Sequence, residues 1–370
     1  MRMVLIGAGH AHLEAISRIG NYRKRGIRVE VVSPSPFHYY SGMGPGMLGG
    51  IYEPEEIRFP VRKMVEERGG IFHTDLAVRI DPRNKQVRLN SGKILDYDVL
   101  SCNTGSTVPD MIVEEGAADV YPVKPIENLL STREWIAGEI QRRPLKIAVV
   151  GGGPAALEIA GNLRRLCGTK SAQPAAITLY AGGPFLSSWP ACARRLARRN
   201  LVRRGIDIDE TGRAEAIRSH ELALQTGARH PFDILFLAIG VRPSRLFAGS
   251  GLSTGPDGGL AVNRFLQSPG HPEIFGGGDG IHFTDSPLDK VGVHAVYQNP
   301  VLAHNLAAFL EGEPLNAFHP RNNYLLILIL GDGTGIFRKN RIVFNGRLAF
   351  WIKDRIDRKF IRRFTLQDGN

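Results

Sequence analysis

Two short apolar runs, residues 4–6 and 147–150, lead without a polar break into glycine-rich turns. These turns are Gly7-Ala8-Gly9-His10-Ala11-His12 and Gly151-Gly152-Gly153-Pro154-Ala155-Ala156. Continuous apolar runs of strand length, bounded by turn residues, predict strands buried on both faces of a parallel sheet. A helix is predicted after each turn, with return strands at residues 29–32 and 177–180. Each segment therefore reads as the opening βαβ unit of a dinucleotide-binding domain. Further on, residues 325–330 form another strand-length apolar run. The final stretch repeats apolar positions every four residues, at Ile352, Ile356, Phe360 and Phe364, as an amphipathic helix does.

The glycines have a stereochemical purpose. The first permits the sharp strand-to-helix turn, and the second lets the backbone approach a pyrophosphate at the positive helix N-terminus. Gly7, Ala8, Gly9, His10 and Ala11 would hold one diphosphate, and Gly151, Gly153, Pro154 and Ala155 the other. His12 stands where a third glycine is usual, which predicts a looser helix-to-strand contact, whereas Ala156 is an accepted substitute. Neither return strand ends in the acid that grips a ribose: Ser33 closes the first and Tyr180-Ala181 the second. Ser33 can bond a hydroxyl without charge, and the missing acid beside Tyr180 leaves NADH against NADPH open. His10 and His12 have no third ligand nearby in sequence, so no metal site is expected.

Composition narrows the setting. At 370 residues and 43% hydrophobic the chain exceeds what one core usually holds, which predicts at least two domains. The start of the sequence enters a strand pattern at once, so no secretory leader is expected and a cytoplasmic location is. No apolar run is long enough to span a bilayer. The three cysteines, Cys102, Cys167 and Cys192, form no spaced pair and read as small buried apolar side chains. A formal charge of +11 favours anions in general, dinucleotides and acidic lipids among them. Arginine pairs between Arg194 and Arg204 read as a solvated helix face.

Three further turns follow predicted strands: Cys102-Asn103-Thr104-Gly105-Ser106, Leu237-Ala238-Ile239-Gly240-Val241-Arg242-Pro243 and Ile274-Phe275-Gly276-Gly277-Gly278-Asp279. With the two glycine loops, and in this order, they resemble the FAD-dependent pyridine nucleotide-disulfide oxidoreductase superfamily over nearly the whole chain. The resemblance implies an α/β fold of two Rossmann-like dinucleotide-binding domains, with a small C-terminal α+β segment ending in an amphipathic helix. Its boundaries would be 1–115 and 241–318 for the FAD-binding domain, 116–240 for an inserted NAD(P)H-binding domain, and 319–370 for a C-terminal hairpin and helix. Within the superfamily the chain is most similar to type II NADH dehydrogenases and to the flavoprotein module fused to selenide, water dikinase. That likeness is carried by Tyr40-Ser41-Gly42-Met43-Gly44-Pro45-Gly46, by the stretch from His294 to Ala303, and by the stretch from Trp351 to Arg358.

Carried onto this sequence, the resemblance implies FAD as cofactor, with NADH or NADPH as co-substrate. Ser33 would meet the adenosine ribose and Val78 the adenine through its backbone, while Pro45, Thr104, Gly105, Gly278 and Asp279 would lie along the cofactor. Gly240 belongs to the crossover between the domains. The helix starting near His294 and Ala295 would aim its N-terminus at the flavin. There, free N–H groups stabilise the negative charge of reduction by about 0.5–2 kcal/mol. Glu158 would stand near nicotinamide and flavin, although an acid early in a helix also serves plain dipole compensation. Lys124 matches a lysine of several relatives and equally reads as solvated surface charge. Type II dehydrogenases carry paired glutamines where this chain has Gln298 and Asn299, a departure that weakens the implied quinone contact at Tyr297 and Gln298.

Hydride transfer between stacked rings needs alignment and no acid–base triad. Disulfide reduction and sulfide oxidation require cysteines beside the flavin, and no cysteine follows Cys192. Around the C-terminal apolar stripe lie Lys353, Arg355, Arg358, Lys359, Arg362 and Arg363, a pattern that suits a helix lying on an anionic membrane surface. Docking on the protein's own core, or on a second copy, is the other reading. The expectation is an FAD-dependent NAD(P)H:quinone oxidoreductase, peripheral on the cytoplasmic face of a membrane, with a homodimer open and no nucleic-acid partner. Two other classes stand beside it: a soluble flavoprotein reductase serving a protein partner or selenium metabolism, and an FAD-containing binding protein.

Overall fold

A computed structural model of the protein describes residues 1–109, 112–168, 175–321 and 323–365. Arg2–Ile6 (β1), Arg28–Ser33 (β2), Ile71–Thr74 (β3) and Val99–Cys102 (β4) form a parallel sheet in the order β3-β2-β1-β4. β1 is buried after its first residue and β4 throughout. An unbroken apolar run needs such cover on both faces. The chain then builds a second sheet from Val120–Pro122 (β5), Lys146–Val150 (β6), Ala176–Tyr180 (β7), Ile206–Asp209 (β8) and Ile234–Leu237 (β9). Its order is β5-β9-β6-β7-β8, parallel throughout. The chain returns to the first sheet through His271–Gly276 (β10), which pairs in parallel with β4. This is the expected α/β architecture of two Rossmann-like sheets.

The main helices are Pro154–Gly168 (α1) after β6, Ala191–Arg203 (α2) between β7 and β8, and Gly292–Glu311 (α3) after β10. The first glycine turn leads instead into a short 3-10 turn, His10–His12, and two brief helical segments, Leu13–Ser17 and Ile19–Lys24.

The C-terminal region differs from the expected hairpin. Leu326–Ile329 (β11), Gly335–Lys339 (β12) and Ile342–Gly346 (β13) form a three-stranded antiparallel meander, followed by Arg347–Thr365 (α4). It is locked onto α1 because Gly161 has no side chain: a Cβ there would lie 2.5 Å from the Leu330 carbonyl oxygen. Arg204 donates to that oxygen and, at 2.8 Å, to Gly161 O, so it is a structural bolt and not part of a solvated face. α4 folds back on the protein. Ala349, Asp357, Ile361 and Phe364 are buried, while Leu348, Trp351 and Ile356 are 59, 55 and 47% exposed. The expected stripe of Ile352, Ile356, Phe360 and Phe364 is therefore split between the two faces. Packing turns inward the face that carries Asp357 and Ile361, because Asp357 has partners inside.

Candidate functional site

A cavity of about 1320 Å³ lies beyond the C-terminal ends of β1, β2, β4 and β10. Parallel α/β sheets bind ligands at this edge. Gly7, Ala8, Gly9 and His10 line it, as do Ser33 at the end of β2, Thr104, Gly105 and Ser106 after β4, and Gly278 and Asp279 after β10. Gly7 adopts φ +85°, and a Cβ there would lie 2.1 Å from Asn103 O, so the turn admits only glycine. Gly292 and Ala295 also line the cavity, and the first turn of α3 has no side-chain cap. The free N–H groups at the start of α3 therefore lie at the cavity wall.

Three polar atoms around this space have no partner within the protein: His10 Nε2, Asn103 Nδ2 and Thr104 Oγ1. Buried polar groups are nearly always satisfied, so three orphans on one wall mark a site shaped for a hydrogen-bonding ligand. The glycine cradle, the volume of the cavity and these polar atoms fit a dinucleotide such as FAD.

Lys124 Nζ donates to Asp279 Oδ2 at 2.7 Å, and Ser106 Oγ donates to the same oxygen at 2.9 Å. Burial alone would raise the Asp279 carboxyl, but the Lys124 ammonium and these bonds outweigh it and hold it below the usual range. Lys124 is thus a cavity residue and not solvated surface charge.

The histidines divide their work. His12 is fully buried; its Nδ1–H donates to Gly7 O at 2.6 Å, and Nε2 accepts from Ser101 Oγ at 2.8 Å. The expected loose contact is absent, because the ring fills the space between turn and strand and bonds to both. Burial lowers the His12 pKa to about 4 despite the bond to Gly7. His10 faces the cavity, and its Nδ1 is hydrogen-bonded to His38 Nε2 at 3.0 Å. Burial, with the Lys124 charge, brings it also to about 4, so it is neutral near pH 7.

From His10 a chain of side chains leads to α4. The His10 ring stands 5.1 Å from Tyr40 and 5.9 Å from Phe360. Tyr40 OH donates to Asp357 Oδ1 at 3.1 Å, and Lys353 Nζ donates to Asp357 Oδ2 at 2.7 Å and to Gly42 O at 2.8 Å. Glu158 of α1 completes the group. Its Oε1 accepts the Ile329 N–H at 2.8 Å, and burial pushes its pKa up to about 7 against the opposing pull of Lys353.

Some expected residues lie elsewhere. Val78 is 48% exposed and does not line the cavity; its neighbours Asp75, Leu76 and Ala77 do. Pro45 and Ala11 are buried in packing. Gln298 is fully buried, its Oε1 accepting the Gly278 N–H at 2.7 Å, so it braces the Gly-Asp turn, and its Nε2 has no partner within the protein. Tyr297 lies off the cavity beneath Arg321, and His294 packs edge-on against Tyr324. α3 begins at Gly292, two residues earlier than expected. Gly151, Gly153, Pro154, Ala155, Tyr180 and Gly240 form no part of the cavity wall; the first four make the separate turn between β6 and α1. Cys102 and Cys167 are buried free thiols, whereas Cys192 is exposed.

Sequence reading missed Asn103, Ser106, His38 and the inward role of Asp357. Asn103 and Ser106 stand in a turn whose pattern does not single out their side chains, and no local pattern reports that Lys353 and Asp357, one helical turn apart, face a half-buried tyrosine.

Known proteins are similar to this chain. The profile of the family described as pyridine nucleotide-disulphide oxidoreductase matches residues 1–306. Ferroptosis suppressor protein 1 of Taeniopygia guttata is 26% identical over 349 residues, covering 90% of this chain and 88% of that protein. Demethylphylloquinone reductase NdbB of Synechocystis is 27% identical over 280 residues, covering 70% and 67%. Among solved structures, NDH2 from Plasmodium falciparum in complex with NADH superposes with a TM-score of 0.78 at 13% identity, covering 100% and 98%, which speaks to fold alone.

Proposed function

Because the chain belongs to the pyridine nucleotide-disulphide oxidoreductase family and is an NAD(P)H oxidoreductase with FAD, we propose that it passes the electrons of NAD(P)H to a quinone. The residues lining the cavity would hold FAD, which would supply hydride acceptance from the nicotinamide and electron release to an acceptor. The protein's own residues supply position and charge. Gly7, Gly9 and the amides beyond them hold the diphosphate, Ser33 meets the ribose, and Thr104, Gly105 and Asp279 line the remainder. The N-terminus of α3 favours negative charge at the cofactor by about 0.5–2 kcal/mol. Gly151, Gly153, Pro154 and Ala155 hold the nicotinamide nucleotide on the second sheet. Residues 1–115 with 241–318 form the FAD unit, 116–240 the nucleotide unit and 319–370 the C-terminal segment.

The observation that carries the quinone reading is the largely buried group of Asp357 with half-buried Glu158, Lys353 and Tyr40, which adjoins the cavity through His10. A quinone taking two electrons also takes two protons to become a quinol. Glu158, with its pKa near 7, can yield a proton at neutral pH, and Lys353 and Asp357 hold the charge balance while it does. No cysteine pair competes for the electrons.

The outer face of α4 presents Leu348, Trp351 and Ile356 beside Arg355, Lys359, Arg362 and Arg363. This supports a peripheral seat on an anionic membrane surface, where a hydrophobic quinone is available. Among the described residues no helix is long and apolar enough to cross a membrane. Steady-state oxidation of NAD(P)H by FAD-loaded protein with a short-chain quinone tests the proposal. Turnover supports it, and no turnover ends it.

A further inference from the structure

We infer that the second glycine loop selects NADPH over NADH, with Arg213 reading the 2′-phosphate; this rests on that loop being the pyridine-nucleotide site. β7 ends at Tyr180, and the chain turns through Ala181, Gly182 and Gly183. In dinucleotide loops this is where a carboxylate grips the 2′-hydroxyl of NADH and repels a phosphate there, and an arginine nearby accommodates that phosphate. Here the carboxylate is absent. Gly182 adopts φ +69°, and a Cβ built on it would lie 3.4 Å from Arg213 Cγ, so the arginine stem lies against this turn. Arg213 is exposed and makes no ion pair among the described residues. A guanidinium left free beside a ribose position is suited to bidentate phosphate recognition.

The neighbouring acids are already occupied. Asp209, in register with Tyr180 across β7 and β8, accepts from Thr211 N–H at 2.8 Å and Thr211 Oγ1 at 2.6 Å. Glu210 accepts Phe185 N–H at 2.6 Å and Arg198 at 2.5 Å. Both Thr211 bonds go to Asp209 Oδ1, on the neighbouring strand and not in the turn after β7, and Arg198 offsets the charge of Glu210. Among the described residues Arg213 is thus an unpaired cation beside the turn.

The test uses FAD-loaded protein and two redox-inert probes, ADP-ribose and 2′-phospho-ADP-ribose, titrated by calorimetry. The phosphorylated probe binds about tenfold tighter or more, and the difference shrinks as salt rises. Arg213→Ala lowers its affinity to that of ADP-ribose, and Ala181→Glu reverses the order. Equal or weaker binding of the phosphorylated probe to the wild type overturns the inference, as does a preference that survives Arg213→Ala. Failure of both probes to bind overturns the reading of the loop itself along with it.

Discussion

Lys124 Nζ lies 2.7 Å from Asp279 Oδ2, an ion pair that ties the segment after β5 to the turn after β10 across the cavity wall. Asp279 is held below the ordinary carboxylate range, so its charge contributes stability above that range and loses it as pH falls through its folded pKa. Lys124→Met removes the largest pull against burial, leaving the Ser106 bond and the Lys290 charge, and so raises the carboxyl. On acidification the variant then releases flavin at a higher pH than the wild type, and at neutral pH it retains FAD about tenfold less tightly. Flavin absorbance after gel filtration at stepped pH reads both effects.

Gly7 and Gly153 make a paired test. A Cβ at Gly7 meets Asn103 O at 2.1 Å in a left-handed backbone, whereas at Gly153 it meets nothing within 4 Å. Gly7→Ala costs about 1–3 kcal/mol and empties the protein of flavin. Gly153→Ala leaves unfolding stability within about 0.5 kcal/mol. Urea titration with flavin quantitation separates the two.

The Lys353 and Asp357 side chains are only 12 and 5% exposed. Lys353→Met leaves a buried, unpaired carboxylate and destabilises by about 3–5 kcal/mol; Lys353→Met with Asp357→Leu recovers much of the loss. Chemical denaturation of the three proteins checks this.

Glu158 has its carboxyl raised from 4.5 to about 7, chiefly by burial. A folded pKa above the unfolded one means that the group's contribution is present below the unfolded value and is lost as pH rises through about 7. Relative to Glu158→Gln, the wild type therefore loses thermal stability between pH 5 and 8. Tm against pH for the two proteins gives the sign directly, and an unchanged difference would place the carboxyl at an ordinary pKa.

The two βαβ units and the glycine turns were legible because they are local: strand, turn and helix follow one another within a few residues. The C-terminal segment was legible only in part. Its periodicity announced a helix, but the face it buries depends on Tyr40, Gly42 and Glu158, which are distant in sequence. The place of Gln298 was hidden for the same reason. A family position suggested a substrate contact, and only the three-dimensional register shows it spent on Gly278 N–H. His12 replaced an expected glycine by bonding to both elements that the glycine would have let touch.

The most direct measurement is an anaerobic titration of FAD-loaded protein, first with NADPH or NADH and then with a short-chain quinone, followed by flavin absorbance. One equivalent of nucleotide bleaches the flavin, and one equivalent of quinone restores its colour. A flavin that neither nucleotide bleaches, or one that quinone leaves colourless, contradicts the account.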